Sequence, residues 1–348
     1  KAMPETSRTP AVVPSDRSGD LAFLRGLAEA DRDAAMTPGG AVFIGPRVDI
    51  EGLVVEGQGG FRLDVSQLSL VDPGKIVFLG ANGSGKSTLL EAILGLITPT
   101  RGRVRVLGRD LLTADPADEI RQMIGAQIQG ATWASSAKVA EILSIHRLAY
   151  GRSESYVLET LGIPELSRHT YRGLSTGQRR RVDLAVALAH EPRVIVLDEP
   201  VSGLDRRFED GYRSVLERRA ADGAMILVAT HDERDLATAQ RLIWLSRGRV
   251  IHDEAPAALV DRLIGQQVCT VEDADPQTAA QLAARFGSTA KVCRGEDGRL
   301  FLSGDDALRE AFLATVSPLS SLAYAVRPAR PSDLLRVLDS GAGSGSVS

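Results

Sequence analysis

Three short segments carry residue types that can act on a phosphoanhydride. The run Gly80-Ala81-Asn82-Gly83-Ser84-Gly85-Lys86-Ser87-Thr88 fits the spacing G-x-x-x-x-G-K-[ST]. Glycines at those places let successive backbone N–H groups turn into one concavity, and a helix starting at the end of the loop adds the positive end of its dipole. A triphosphate suits such a cradle, built from Asn82, Gly83, Ser84, Gly85 and Thr88 around Lys86 and Ser87. Lys86 would meet the β- and γ-phosphates as a compact charge, and Ser87 would offer its hydroxyl to Mg²⁺. Val194-Ile195-Val196-Leu197-Asp198-Glu199 is an apolar run that ends in two acids, which places both carboxylates at the carboxyl edge of a buried strand, where α/β sheets bind ligands. Asp198 is the candidate to hold Mg²⁺, through water, and Glu199 the candidate to align and polarise an attacking water. Leu174-Ser175-Thr176-Gly177-Gln178 opens the helical run Arg179–His190. Ser175 and Gln178 fit an S-x-x-Q capping box, and a helix start with exposed N–H groups is equally suited to a phosphate.

These segments need a scaffold that brings strand ends together. The strand Lys75–Leu79 precedes the phosphate loop and the helical run Thr88–Leu96 follows it. From Arg47 to His252 short apolar strands alternate with helical stretches, the pattern of a parallel α/β sheet. A hairpin over Leu242–Ile251 ends that block, and an acidic, Ala/Pro-containing stretch reads as a linker over residues 253–265. Beyond it, strand, helix, two strands, helix and strand follow in the order β-α-β-β-α-β, which predicts a small α+β domain of split βαβ, ferredoxin-like type over 266–339. Residues 1–45 read as a flexible extension with one amphipathic stretch over Asp16–Met36, and 340–348 as a Gly/Ser tail.

The Leu174–Gln178 segment resembles the LSGGQ signature of ABC ATPases, with Thr176 in place of the first glycine. Further residues are similar to that family's motifs in the family's order. Gln129 matches the Q-loop glutamine that senses Mg²⁺ and the attacking water, with Gln127 as its rival. Ser202-Gly203-Leu204-Asp205 is similar to the D-loop, and Thr230-His231-Asp232 to the switch histidine that contacts the γ-phosphate. The resemblance covers about residues 47–252, within an ATPase domain expected over 46–252. It implies a P-loop NTPase fold with a helical signature subdomain, ATP and Mg²⁺ as ligands, and a head-to-tail pair of ATPase copies. Lys86, Ser87, Gln129, Asp198, Glu199 and His231 would then act in cis, and Ser175, Gly177 and Gln178 on the partner's ATP. A homodimer is the simplest assembly and a non-identical ATPase partner the alternative. One position departs from the family pattern: Gly57 stands where an adenine-stacking ring is expected, with Phe61 or Phe43 as substitutes, which implies weaker adenine selectivity. The C-terminal domain is similar to the extension of exporter-type members that serve hydrophobic compounds, which points to dimerisation or regulation of the engine.

Bulk properties bound the function. The chain has 348 residues and a net charge of −4, so it carries no basic surplus of the kind that drives nucleic-acid binding. Its apolar runs are far shorter than the roughly 20 residues of a bilayer-crossing helix, so a membrane role requires a separate transmembrane permease subunit. Cys269 and Cys293 stand alone, without metal-site spacing, as in a reducing cytosol. The expected location is cytoplasmic, peripheral on the inner face of the membrane through the permease. A non-transport ABC ATPase acting as a mechanical or scaffold protein is the competing reading; the long heptad arms and tandem ATPase halves of such members do not occur here.

Overall fold

Strands that are apolar at consecutive positions must be covered on both faces, and those of the central sheet are. In the computed structural model β3 (Gly74–Leu79), β6 (Val194–Asp198) and β7 (Met225–Ala229) are buried at every residue. With β5 (Ile124–Gln127), β8 (Arg241–Ser246) and β9 (Arg249–Glu254) they form a six-stranded sheet in the order β5-β6-β7-β3-β8-β9. All neighbours run parallel except β9, which returns antiparallel along β8. The register pairs Asp198 with Ala229, and Ala229 with Phe78. The carboxyl ends of β6, β7 and β3 therefore finish at one edge, and the loops holding Glu199, His231 and Gly80 all start there. The structure describes residues 47–112, 120–130, 133–272, 274–295, 298–316 and 323–339. The expected N-terminal extension with Phe43, and the Gly/Ser tail, lie outside the described residues.

A second sheet, antiparallel in the order β2-β1-β4, consists of β1 (Val48–Glu56), β2 (Arg62–Leu70) and β4 (Arg101–Val106). Helix α1 (Lys86–Ile93) leaves the phosphate loop. Helices α2 (Val139–Tyr150), α3 (Ser155–Thr160) and α4 (Thr176–Leu188) build the helical part. Their apolar sides, including Ile142, Val157 and Val182, close with Leu161 over Ile195 and Leu197 of β6 in one buried cluster, joined by Tyr212 of α5 (Arg206–Ala221). Short helix α6 (Glu233–Ala237) follows β7.

The stretch expected to be a linker over 253–265 is instead regular structure. Asp253 and Glu254 close β9 and pair with Arg241 and Arg262, so these acids serve the fold rather than solvation of a tether. Pro256, whose fixed φ suits a first helical position, then opens α7 (Pro256–Leu263), with Leu259 and Val260 buried. Next come β10 (Gln267–Val271), α8 (Pro276–Phe286), β11 (Lys291–Arg294), β12 (Leu300–Gly304), α9 (Asp306–Val316) and β13 (Tyr324–Pro328). The four strands make an antiparallel sheet ordered β11-β12-β10-β13, the split βαβ arrangement, with Cys269, Leu302 and Phe312 in its core.

This module does not hang free. Val268 of β10 and Leu334, which starts α10 (Leu334–Asp339), belong to the same buried cluster as Leu79 of β3, Leu236 of α6, Trp244 of β8 and Leu259 of α7. Deleting the fully buried Leu334 side chain leaves a cavity against the ATPase sheet. Leu334→Ala is expected to cost about 2–5 kcal/mol, read as a lower urea midpoint by the fluorescence of Trp133 and Trp244. An unchanged midpoint would mean that the module and the ATPase sheet do not share a core.

Candidate functional site

The loop after β3 is shaped by close backbone approach. A Cβ at Gly80 would lie 2.3 Å from the Leu245 carbonyl oxygen, and Gly80 sits at φ 154°. Gly85 precedes α1 at φ 107°, a region that side-chain-bearing residues rarely occupy. Among the described residues Ser84 Oγ is buried in this loop without a hydrogen-bond partner, and α1 begins with no side-chain cap. A cradle that a Cβ would fill, a buried hydroxyl and uncapped helix N–H groups together fit a polyphosphate.

A cavity of about 440 Å³ opens over this loop, lined by Asn82, Gly83, Gly85, Lys86, Ser87, Thr88, Gln129, Asp198, Glu199 and Phe61. The structure thus brings together the phosphate loop, both acids at the end of β6 and Gln129. The buried Lys86 ammonium donates to the Gly80 carbonyl at 2.5 Å and the Ala81 carbonyl at 3.3 Å, and stands 3.3 Å from His231 Nε2. Burial pulls its pKa below the lysine range, while the charges of Glu199 and Asp198 pull it back up. Glu199 Oε1 lies 3.7 Å from His231 Nε2. Burial is also the main cause of a raised Glu199 pKa, opposed by Lys86 and reinforced by Asp198. A carboxylate held above its ordinary range is a stronger proton acceptor.

Glu199 is held in an unusual conformation. Its φ of 46° is left-handed, and its N–H donates to the Ala229 carbonyl at 2.9 Å. A side-chain-bearing residue in that region is strained, and strain of this kind concentrates at functional sites. Gln127, the rival to Gln129, does not line the cavity. It is buried, and with its amide turned to satisfy both ends it donates to the Asp198 carbonyl at 3.3 Å and accepts from Arg180. The donors available to a metal are therefore the Ser87 hydroxyl, the Asp198 carboxylate and the Gln129 amide. These hard oxygen ligands suit a Mg²⁺ ion that completes its shell with phosphate and water. Among the described residues there is no cluster of three or more His, Cys, Asp or Glu side chains that could hold a metal by itself.

Ser175, Gly177 and Gln178 are not among the residues lining this cavity. Ser175 and Gln178 form the expected capping box: Gln178 N–H donates to Ser175 Oγ at 3.3 Å, and Ser175 N–H donates to Gln178 Oε1 at 2.9 Å. The Gly203 carbonyl approaches so closely that a Cβ at Gly177 would lie 2.6 Å from it. The signature and the Ser202–Asp205 loop therefore touch within one chain, a contact that the sequence signals only by glycine at both positions. Phe61 closes the β1–β2 hairpin, its carbonyl accepting from Gly57 N–H at 2.8 Å. Its ring lies against both glycines: a Cβ at Gly57 would be 3.1 Å from Phe61 Cδ1, and one at Gly85 3.1 Å from Phe61 Cζ.

Comparison with known proteins agrees with this geometry. Residues 63–202 match the family model described as ABC transporter. The chain is 38% identical over 195 residues to a putative ABC transporter ATP-binding protein of Methanopyrus kandleri, covering 52% of this chain and 70% of that one. It is 31% identical over 290 residues to the Nod factor export ATP-binding protein I of Burkholderia lata, covering 80% and 93%. A macrolide export ATP-binding/permease protein of Rhodospirillum rubrum is 33% identical, but the chain spans only 36% of its length. Among solved structures, a dimeric bacterial ABC transporter cassette superposes with a TM-score of 0.52 at 25% identity, over 60% of this chain and 98% of that one. The chain belongs to the ATP-binding proteins of ABC transporters and is an ABC-type ATPase.

Proposed function

We propose that this ATPase drives an exporter, closing on ATP against a second copy and opening after hydrolysis to move the helices of a separate membrane permease. Among the described residues no helix is long and apolar enough to cross a membrane, which fits an engine that works through a partner at the inner face of the membrane. The export reading is supported by the Nod factor export relative, whose 290-residue alignment is longer than the ATPase region and so extends into the C-terminal module. The observation that carries the catalytic reading is the strained Glu199, set beside Asp198 and 3.7 Å from His231.

Bound Mg-ATP supplies the phosphoanhydride whose cleavage releases the free energy for transport. Lys86 and the loop N–H groups would neutralise the phosphates, and Ser87, Asp198 and Gln129 would hold Mg²⁺, which would offset the charge that develops on those phosphates. Glu199 orients the attacking water and accepts its proton. His231 steadies the terminal phosphate between Lys86 and Glu199. Phe61 provides a ring on which the base stacks, standing in for the side chain that Gly57 lacks. Ser175, Gly177 and Gln178 complete the site of the second copy.

Glu199→Gln should keep nucleotide binding, lower phosphate release by on the order of 10²-fold or more, and accumulate dimers in sedimentation. Wild-type turnover in that variant would contradict the assignment. Phe61→Ala should weaken ATP binding by about 1–3 kcal/mol and GTP binding equally, because an aromatic platform accepts any base. Titration with the two nucleotides measures this, and a wild-type preference for ATP above about a hundredfold would refute stacking as the source of base recognition.

A further inference from the structure

The helix that follows His231 is too short to hold itself. Helix α6 has five residues, fewer than an isolated helix needs to persist in water, so its position depends on what grips it. On the side of the ATPase sheet the grip is apolar, through Leu236 against Leu79 and Trp244, and ionic. Lys75 Nζ meets Asp235 Oδ1 at 3.0 Å in a buried pair. The carboxylate of Asp232, which caps α6, accepts from the Arg234 and Asp235 N–H groups and from Arg213 at 2.6 Å. On the other side the grip comes from the C-terminal module. Leu236 of α6 and Leu334 are both fully buried in one cluster. Asp333, immediately before Leu334, is itself buried. Its carboxylate takes the Arg327 guanidinium at 2.6 and 2.8 Å and the Arg330 N–H at 2.8 Å, which fixes the 3-10 turn Pro331–Asp333 ahead of Leu334. Arg327 also lies within electrostatic reach of Glu233, the first residue of α6.

We propose that Asp333 is a positioning residue for hydrolysis: it fixes the turn by which the C-terminal module clamps α6 and so sets where His231 stands. The proposal rests on the reading of His231 as the switch beside Lys86 and Glu199. The strands that carry the phosphate loop and the acids are held by main-chain pairing on both sides, β3 between β7 and β8, and β6 between β5 and β7. Strand β7 is held in the same way between β6 and β3 but ends at Ala229, so His231 stands between a fixed strand end and α6, which has no such ladder. Disturbing the clamp therefore displaces His231 before it displaces the phosphate cradle, and the effect falls on turnover rather than on nucleotide affinity. The module thereby acts on the hydrolytic step through this turn, so whatever shifts the turn also shifts the rate.

The test uses the full chain with Asp333→Asn. A control comes from Phe312→Leu in the module's own core, which belongs to a different buried cluster from Leu236. Three quantities are compared: kcat and KM for ATP hydrolysis, the affinity for ATP in binding titrations, and hydrogen exchange of the amides of residues 230–237. The expected result for Asp333→Asn is a several-fold lower kcat at unchanged ATP affinity, with faster exchange confined to 230–237. Phe312→Leu should leave all three as in the wild type. Equal effects of the two variants, or an unchanged kcat and exchange in Asp333→Asn, would overturn the proposal. His231→Ala separates the two layers: loss of turnover there with none in Asp333→Asn sinks the clamp alone, whereas unchanged turnover in His231→Ala sinks the underlying reading of the switch.

Discussion

Lys86 must stay charged while most of its side chain is out of water, and much of the surrounding architecture answers that demand. Removing an ammonium group from water disfavours the charged form unless acceptors and opposite charge stand close. Here the Gly80 and Ala81 carbonyls accept from it, and Asp198 and Glu199 supply the opposing charge. Those acids reach it only because β6 lies in parallel register with β7, and β7 with β3. A slip of one residue would turn every side chain of β6 to the opposite face and carry Asp198 away. The same arrangement raises the Glu199 pKa through burial, so one local electrostatic balance governs both Lys86 and the carboxylate proposed to accept the water's proton.

The residues of the candidate site were largely legible in the sequence because they reside in contiguous segments. A glycine loop between a strand and a helix, an apolar run ending in two acids, and a Ser-x-x-Gln helix start each carry their geometry locally. The cavity lining brings most of them together. Gln129 and Gln127 were harder to separate, since residues two apart share a strand face; Gln127 is the last residue of β5 and is buried, whereas Gln129 stands beyond the strand end and lines the cavity. Phe61 was undecidable from spacing alone. Its ring reaches the cleft because the hairpin loop folds it across Gly57 and toward Gly85, a consequence of turn geometry that the order of residues does not display.

Long-range packing was the part the sequence concealed. The acidic stretch after His252 has the composition of a tether, yet its charges are matched by Arg241 and Arg262 and its apolar residues by the ATPase core. Leu334 stands in a six-residue helix, too short for a periodic signal, and its partner Leu236 is nearly a hundred positions away in the chain. Only the folded molecule joins them. The result is a C-terminal module with its own antiparallel core that also completes the core beside the switch helix.

The central claim is that a nucleotide held by one chain is completed by the signature of another, which accords with Ser175, Gly177 and Gln178 standing apart from their own chain's cleft. The most direct measurement mixes two inactive variants, Lys86→Ala, which cannot hold the phosphates, and Ser175→Arg, which cannot serve a partner. A mixed dimer retains one site with an intact phosphate loop from one chain and an intact signature from the other, so phosphate release should reappear on mixing and depend on total protein concentration. Mixtures as inactive as the separate variants, or full turnover by Ser175→Arg alone, would contradict the account.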